Sequence, residues 1–318
     1  MKLKVLANDG IDEAGKTLLE RAGIEVHTQK VKQEDLIDAI NKEGYAGLTV
    51  RSATQVRKVL IDACPGLKVI ARGGVGMDNI DVVYAEEKGI KVINTPAASS
   101  NSVAELVLAH IITMFRFMKE AAISMPSTGS TEFNALKKKF SSGLELRGKS
   151  LGIIGFGRIG QSLGRIGLGC GMKVIASDPY ISEAEIEVDV YQKSPIKVKI
   201  NTIPMDELLE TSDIISVHVP GGKLIGEAEI KKMKKGVFLV NASRGGVIHE
   251  AALLKGLENG TVAMAGLDVF ENEPTPNPAL LSHPRIIATP HIGASTAEAQ
   301  ERIGIELAEK IIAVLKRD

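Results

Sequence analysis

The chain has 318 residues, of which 39 are Lys or Arg and 39 are Asp or Glu, so its formal net charge is zero. This balance argues against electrostatic capture by nucleic acid or by an anionic membrane, and it favours small-molecule chemistry. The length predicts about two domains, and a hydrophobic content of 44% is enough for two cores.

The cysteines and the start of the chain indicate where the protein works. Cys64 and Cys170 form neither a zinc-ligand spacing nor a C-x-x-C motif, so we expect two reduced packing residues and no metal site. The first residues become polar too soon for a secretory signal, and the most apolar helical run, near 106–115, is too short for a bilayer. We therefore expect a cytoplasmic protein without a membrane partner.

Short apolar runs alternate with helical patterns through the first part of the chain. Strands are predicted near 3–7, 24–27, 46–50, 67–71 and 90–93, and helices near 11–22, 33–42, 55–62 and 80–88. This alternation is typical of βα units on a parallel sheet, so the fold class is α/β.

A connecting segment follows. Ser102 and Glu105 have the spacing of a capping box, which predicts the start of a long helix at Ser102. Residues 126–143 are rich in Pro, Ser, Thr and Gly and predict a loop. The basic run Lys137 to Lys139 within it is typical of a solvated face, although it could also reach a substrate across a dimer interface.

The second part of the chain repeats the parallel α/β pattern. Strands are predicted near 151–154, 174–178, 214–219, 237–241, 262–267 and 286–289. A capping-box pattern, Ser295 to Glu298, predicts a last helix to about Lys316. If this helix packs on the first domain, residues 1–98 and 292–318 form one domain, residues 99–291 form an inserted one, and the two crossings form a hinge over a cleft.

A glycine-rich loop marks a dinucleotide site. Gly155, Gly157 and Gly160 follow an apolar run and precede a helical pattern, which places free helix N–H groups near a pyrophosphate. Asp178 ends the next apolar run, where its carboxylate would accept hydrogen bonds from ribose hydroxyls and repel a 2′-phosphate. The loop alone is a weak signal, but with this context it predicts NAD rather than NADP.

Three later segments carry groups suited to hydride chemistry. They are residues 241–247, 266–274 and 289–296, and each follows an apolar run. Because open α/β sheets bind ligands at the carboxyl ends of their strands, an arginine, a carboxylate and a histidine are predicted to converge there.

Taken together, these motifs resemble those of the D-isomer-specific 2-hydroxyacid dehydrogenases, most closely the short D-3-phosphoglycerate dehydrogenases. The resemblance runs from Arg51-Ser52-Ala53-Thr54 through the glycine loop to residues 290–296. It implies a flavodoxin-like substrate domain, an inserted Rossmann-type NAD-binding domain with parallel sheets, and a homodimer built largely on the cofactor domains.

The family's catalytic arginine, glutamate and histidine map to Arg244, Glu273 and His291. His291 would be the acid/base, since an unperturbed imidazole titrates at about pH 6.5. Glu273 would hold its second nitrogen, and Arg244 would bind the substrate carboxylate. On sequence alone, Asp268 and Glu271 are alternatives to Glu273 for this role, and the resemblance favours Glu273. Arg244 could instead be a surface ion-pair partner.

The remaining site residues come from the glycine loop and from the resemblance. The predicted cofactor-binding residues are Gly155, Gly157, Arg158, Ile159, Gly160, Asp178, His218, Val219, Pro220, Ala242, Ser243, Arg244, Asp268, His291, Gly293 and Ala294. The predicted substrate-binding residues are Arg51, Ser52, Arg72, Gly74, Val75, Gly76, Arg244 and His291. Residues 72–76 could also be only a tight connection between a strand and a helix. On sequence alone, the histidines interpreted as packing or surface residues are His27, His110, His218, His249 and His283.

The function that this pattern favours is the NAD-dependent oxidation of 3-phospho-D-glycerate to 3-phosphooxypyruvate, the first step of serine synthesis. A related enzyme alternative is the reduction of glyoxylate or hydroxypyruvate by the same three residues. An alternative of another class is an NAD-sensing binding protein, such as a transcriptional corepressor, because a fold alone does not prove turnover.

Overall fold

A computed structural model describes residues 2–316 of the chain. The chain divides into two compact units: unit 1 holds the described residues up to Ser100 and from Ala294 onward, and unit 2 holds Asn101–Gly293. Within the described residues, every helix is too short or too polar to cross a membrane.

Parallel strands and intervening helices make up both units, as predicted for an α/β protein. The strands are β1 (Lys4–Ala7), β2 (Glu25–His27), β3 (Gly47–Val50), β4 (Val69–Arg72), β5 (Lys91–Asn94), β6 (Ser150–Ile154), β7 (Lys173–Ser177), β8 (Glu183–Val188), β9 (Ile196–Asn201), β10 (Ile214–Val217), β11 (Val237–Asn241), β12 (Val262–Leu267) and β13 (Ile286–Ala288). The α-helices are α1 (Glu13–Arg21), α2 (Leu36–Glu43), α3 (Lys58–Ala63), α4 (Val82–Glu87), α5 (Ser100–Phe115), α6 (Met118–Thr128), α7 (Phe133–Lys139), α8 (Arg158–Gly169), α9 (Met205–Thr211), α10 (Glu227–Lys232), α11 (Glu250–Glu258), α12 (Pro278–Leu281) and α13 (Ala297–Leu315).

Unit 1 contains a five-stranded parallel sheet in the order β2-β1-β3-β4-β5. This is the flavodoxin-like order, in which the order of successive strands reverses between β1 and β3 while all strands stay parallel. One core lies between the sheet and α1 and α13, and a second core covers the opposite face. The fold class predicted from the alternation is confirmed.

Helices α1 and α13 touch at backbone level. A Cβ atom at Gly15 would collide with the carbonyl oxygen of Gly304, so neither helix has room for a side chain at this crossing. The N-cap of α13 is Thr296, whose hydroxyl accepts a hydrogen bond from the amide of Ala299 at 3.2 Å. The capping box predicted at Ser295 is therefore wrong by one position, because Thr296 has the extended backbone that an N-cap requires.

Unit 2 contains a six-stranded parallel sheet in the order β13-β12-β11-β10-β6-β7. A single parallel bridge between Ala176 and Thr202 continues the sheet beyond β7. The order reverses between β6 and β10, which is the point where sheets of this kind bind dinucleotides. Two apolar clusters, one on each face, bury the sheet.

An antiparallel hairpin, β8 and β9, follows the sixth and seventh strands and was not predicted. Its exposed face carries alternating charges, with ion pairs Lys197–Glu185 at 2.8 Å and Lys199–Glu183 at 2.6 Å. A strand with one solvated face alternates polar and apolar residues, so this hairpin contains no continuous apolar run that would predict it.

The segment predicted as a loop is largely helical. Helix α6 ends at Thr128 with Pro126 in its last turn, and α7 covers about half of residues 129–143. Helix α5 also begins earlier than predicted, at Ser100, so Ser102 lies inside the helix and is not its N-cap.

Candidate active site

Three neighbouring strands of unit 2 end at the same edge of the sheet. Strands β11, β12 and β13 lie side by side and parallel, and the chain leaves them toward Arg244, Glu273 and His291 respectively. The three predicted catalytic residues therefore come from adjacent loops at one edge, because parallel strands share the position of their carboxyl ends.

His291 and Glu273 form a close pair. His291 Nδ1 lies 2.7 Å from Glu273 Oε2, and Glu273 Oε1 accepts a hydrogen bond from the amide of Phe270 at 3.0 Å. Burial alone would raise the pKa of Glu273, but His291, the Phe270 amide and the positive charge of Arg244 outweigh burial and lower it. An ionised carboxylate only accepts hydrogen bonds, so Nδ1 carries hydrogen, and in the neutral ring Nε2 is then the nitrogen with the lone pair.

The backbone of His291 adopts a left-handed conformation, with φ of 54°. Asp268, whose exposed fraction is 1%, holds the loop around it. Asp268 Oδ1 accepts hydrogen bonds from the Thr289 hydroxyl at 2.6 Å and the Ile292 amide at 2.9 Å, and Oδ2 accepts one from the Gly293 amide at 2.8 Å. Asp268 was predicted to bind cofactor, and the structure places its carboxylate against its own chain. No local sequence pattern points to Thr289, because its role depends on a tertiary contact.

The turn that carries Arg244 is shaped by Asn241. The Asn241 side chain donates to the carbonyl oxygen of Arg244 at 2.8 Å and accepts from the amide and the hydroxyl of Ser243 at 3.0 and 2.7 Å. A Cβ at Gly245 would collide with the carbonyl oxygen of Phe270, so this turn lies directly against the loop of Glu273. The close approach explains why the charge of Arg244 acts on Glu273.

Glu271, which competed with Glu273 on sequence alone, has a different contact. Its amide donates to Glu250 Oε1 at 2.9 Å, and its own Oε1 accepts from the Glu250 amide at 3.3 Å. This reciprocal pair joins the Glu273 loop to the first turn of α11. Glu250 is a supporting residue that the sequence reasoning did not identify.

The glycine loop has the geometry of a phosphate cradle. Gly155 has φ of 89°, and a Cβ there would collide with the carbonyl oxygen of His218. A Cβ at Gly160 would collide with the carbonyl oxygen of Gly155. Gly157 is the N-cap residue of α8 and has no side chain to cap the helix amides. A Cβ atom at this position would meet no atom within 4 Å. The space around Gly157 at the start of α8 is therefore open, and the N-terminus of a helix attracts anions.

Asp178 supports this loop from the end of β7. Its Oδ2 accepts the Phe156 amide at 2.8 Å, and its Oδ1 accepts the amides of Tyr180 and Ile181 at 2.8 and 3.0 Å. A carboxylate has about four acceptor positions, so Oδ2 can still accept a ribose hydroxyl. The donor set and the cradle together fit a dinucleotide.

His218, which follows β10, is half-buried, and its Nδ1 is shielded from solvent. Burial lowers the pKa of His218 to about 4. Its Nε2 lies 2.9 Å from Ser216 Oγ, and its Nδ1 has no hydrogen-bond partner within the described part of the chain. The other predicted cofactor residues also follow strands of this sheet: Arg158 and Ile159 after β6, Val219 and Pro220 after β10, Ala242 and Ser243 after β11, and Gly293 and Ala294 after β13.

The predicted substrate residues of unit 1 lie at the carboxyl ends of β3 and β4. Arg51 and Ser52 follow β3, Arg72 ends β4, and Gly74, Val75 and Gly76 come after it. Gly74 has φ of 137°, donates to Thr95 Oγ1 at 2.8 Å and lies against the Arg72 guanidinium. Unit 1 also contains a cavity of about 270 Å³ that Asp9 and Arg51 help to line.

Known proteins with similar sequences are dehydrogenases and reductases of hydroxy acids. Residues 108–293 match the family model described as D-isomer specific 2-hydroxyacid dehydrogenase, NAD binding domain. A hydroxypyruvate reductase of Thermotoga maritima is 44% identical, over 98% of this chain and 97% of that protein. A D-3-phosphoglycerate dehydrogenase of Archaeoglobus fulgidus is 39% identical, over 99% of this chain and 58% of that protein. The chain thus spans little more than half of this longer relative.

A solved structure agrees with these sequence matches. The NAD+-bound 3-phosphoglycerate dehydrogenase of Entamoeba histolytica superposes with a TM-score of 0.78 and 29% identity, covering 100% of this chain and 96% of that chain. The cofactor predicted from the glycine loop is therefore confirmed as NAD.

The low pKa of His218 predicts a pH-dependent stability. The unfolded chain binds a proton at this histidine below about pH 6.5, whereas the folded chain does so only near pH 4. The free energy of unfolding therefore falls as the pH drops through this window, by about 1.4 kcal/mol per pH unit from this group. Urea unfolding between pH 7 and 4.5 should give a flatter profile for His218→Gln than for the wild type. Ser216→Ala, which keeps the imidazole, should retain the wild-type slope; equal slopes for all three proteins would contradict the assignment.

Proposed function

This chain belongs to the D-isomer-specific 2-hydroxyacid dehydrogenases, and we propose that it oxidises 3-phospho-D-glycerate to 3-phosphooxypyruvate with NAD. The observation that carries the proposal is the His291–Glu273 pair, 2.7 Å apart, in loops adjacent to that of Arg244. It is the acid/base arrangement that the oxidation of a hydroxyl group requires.

His291 is the proposed acid/base. Its Nε2 takes the hydroxyl proton of the substrate, while Glu273 holds Nδ1 and stabilises the imidazolium that forms. The His291 side chain is 44% exposed, so a substrate can reach it. When bound, NAD accepts the hydride that leaves C2.

Arg244 is the proposed clamp for the substrate carboxylate. A planar guanidinium binds a carboxylate through two parallel hydrogen bonds, which fixes the C2 hydroxyl relative to His291. Asn241 and Gly245 hold the Arg244 turn against the loop of Glu273, which supports a shared role for the two side chains.

The proposed NAD contacts follow from the loop geometry. The open space at Gly157 and the first turn of α8 would receive the pyrophosphate, and Asp178 Oδ2 would accept a ribose hydroxyl. A 2′-phosphate would meet the negative charge of Asp178, which agrees with NAD as the cofactor.

The proposed phosphate contacts come from unit 1. Arg51, Ser52 and Arg72 offer guanidinium and hydroxyl groups that complement phosphate oxygens. The amides of Val75 and Gly76 offer donors for a carboxylate, whereas that of Gly74 already donates to Thr95 Oγ1. These contacts are what would distinguish a phosphorylated hydroxy acid from an unphosphorylated one.

The second candidate is the reduction of hydroxypyruvate or glyoxylate. It is favoured by the Thermotoga maritima hydroxypyruvate reductase, which this chain matches over nearly the full length of both proteins. The same three residues would act in reverse, with His291 giving its proton to the carbonyl oxygen. The third candidate is an NAD-sensing corepressor-like protein. The His291–Glu273 pair argues against it, because a binding protein does not require an acid/base pair.

A homodimer in the cytoplasm is part of the proposal. Helices α6 and α7 of unit 2 expose Met118, Ile123, Met125 and Phe133, which are 46% to 66% accessible, and such apolar side chains suit a subunit interface. Both cysteines are unpaired, as expected in a reducing compartment.

Replacing His291 tests the proposed chemistry. His291→Ala should lower kcat by about 100-fold to 10,000-fold, the usual contribution of a general acid or base. NAD affinity, measured by isothermal titration calorimetry, should stay within about threefold because the glycine loop is untouched. His283→Ala, a histidine outside the site, is the matched control and should keep wild-type turnover. Unchanged turnover in His291→Ala would remove the proposed role.

A substrate panel tests the choice of hydroxy acid. Steady-state rates with NAD should favour 3-phospho-D-glycerate over D-glycerate and D-lactate by about tenfold to 100-fold in kcat/KM, the effect of one or two charge-assisted hydrogen bonds. Arg51→Gln should reduce this preference and leave the rate with D-glycerate nearly unchanged. The control is Arg57→Gln, an arginine that pairs with Asp81. Equal kcat/KM values for all three acids, with faster reduction of hydroxypyruvate, would favour the second candidate.

A further inference from the structure

A buried histidine lies behind the active-site loop. His110 is on α5 of unit 2, its exposed fraction is 2%, and its Nε2 lies 3.0 Å from the hydroxyl oxygen of Thr289. Thr289 is two residues before His291. The other ring nitrogen, Nδ1, has no hydrogen-bond partner among residues 2–316. The chemistry proposed above makes no use of this imidazole.

The direction of the hydrogen bonds can be assigned. The Thr289 hydroxyl donates its hydrogen to Asp268 Oδ1 at 2.6 Å. Because a hydroxyl has one hydrogen, its oxygen can only accept from His110. His110 is therefore the tautomer with hydrogen on Nε2, and a lone pair remains on Nδ1.

The ring acts as a neutral donor. Burial lowers the pKa of His110, and the nearby charge of Asp268 opposes this effect only in part. A proton on Nδ1 would find no acceptor in the described chain, so protonation is disfavoured by hydrogen bonding as well as by burial. The role of this ring is to donate one hydrogen bond, not to exchange protons.

The backbone of β12 is shaped to receive the ring. A Cβ atom at Gly266 would lie 2.8 Å from His110 Nδ1 and 2.9 Å from its Cβ. The ring therefore occupies the space that any other residue at 266 would fill, two positions before Asp268. Helix α5 also supports the far end of the loop, since Val103 lies 3.3 Å from the Cβ position of Gly293.

We propose that His110 is a positioning residue for the reaction assigned to His291. Its Nε2–H fixes the Thr289 hydroxyl, which in turn fixes the Asp268 carboxylate that binds the amides of Ile292 and Gly293. These bonds flank His291 on both sides and keep it in its left-handed conformation, facing Glu273. The inference rests on the proposed role of His291.

Three substitutions test the inference. His110→Leu removes the donor, His110→Gln restores a donor on a side chain of similar reach, and Gly266→Ala displaces the ring without changing it. With the preferred acid of the substrate panel, kcat should fall by about threefold to tenfold in His110→Leu and Gly266→Ala, the effect of one hydrogen bond. KM for the acid and for NAD should change by less than about twofold, because the bond orients the acid/base and touches neither ligand.

The control variant is Ile111→Val, a buried change on the same helix that should leave kcat unchanged. Recovery of at least half of the wild-type kcat in His110→Gln, with thermal unfolding similar to that of His110→Leu, would support a donor role. The inference is overturned if His110→Leu and Gly266→Ala both keep wild-type kcat, or if a folded His110→Gln is as slow as His110→Leu. If His110→Leu does not fold, the kcat of Gly266→Ala decides: a three- to tenfold fall supports the inference, and a wild-type value overturns it. A fully active His291→Ala would overturn the proposed function instead.

Discussion

The buried carboxylate of Asp268 is the constraint on which the site depends. It sits at the end of β12 and accepts one hydroxyl and two amide hydrogen bonds from the loop that carries His291. A left-handed conformation at a residue other than glycine costs about 1–3 kcal/mol. Each hydrogen bond to a charged group contributes about 1.5–3 kcal/mol, so three of them outweigh the strain.

The parallel sheet of unit 2 places the loop held by Asp268 beside the loops of the other proposed catalytic residues. Adjacent strands β11, β12 and β13 end together, so the turns of Arg244, Glu273 and His291 support one another through the backbone contacts of Gly245 and the paired glutamates. The glycine loop leaves β6 at the same edge, beside His218. One sheet edge therefore carries both the glycine loop and the proposed acid/base pair, which is the edge where open α/β sheets bind ligands.

Much of this arrangement could be predicted from the sequence, because it depends on local patterns. The glycine spacing, the apolar runs before each loop and the choice of an α/β fold are of this kind. The hairpin β8–β9 could not be predicted from apolar runs, because its charges alternate with its apolar residues. The helices α6 and α7 were predicted as a loop, because Pro126 and the polar residues around it are typical of loops. The contact between His110 and Thr289 spans 179 residues, so only the folded chain reveals it.

The identity of the hydroxy acid is separate from the chemistry, since Arg244, Glu273 and His291 would serve any 2-hydroxy acid in either direction. A crystal structure with NAD and an inert hydroxy acid analogue tests the proposed role of the His291 imidazole most directly. We expect His291 Nε2 to lie within about 2.6–3.2 Å of the C2 oxygen, with Nδ1 still hydrogen-bonded to Glu273. An imidazole turned toward bulk water, or one that presents Nδ1 to the ligand, would contradict it.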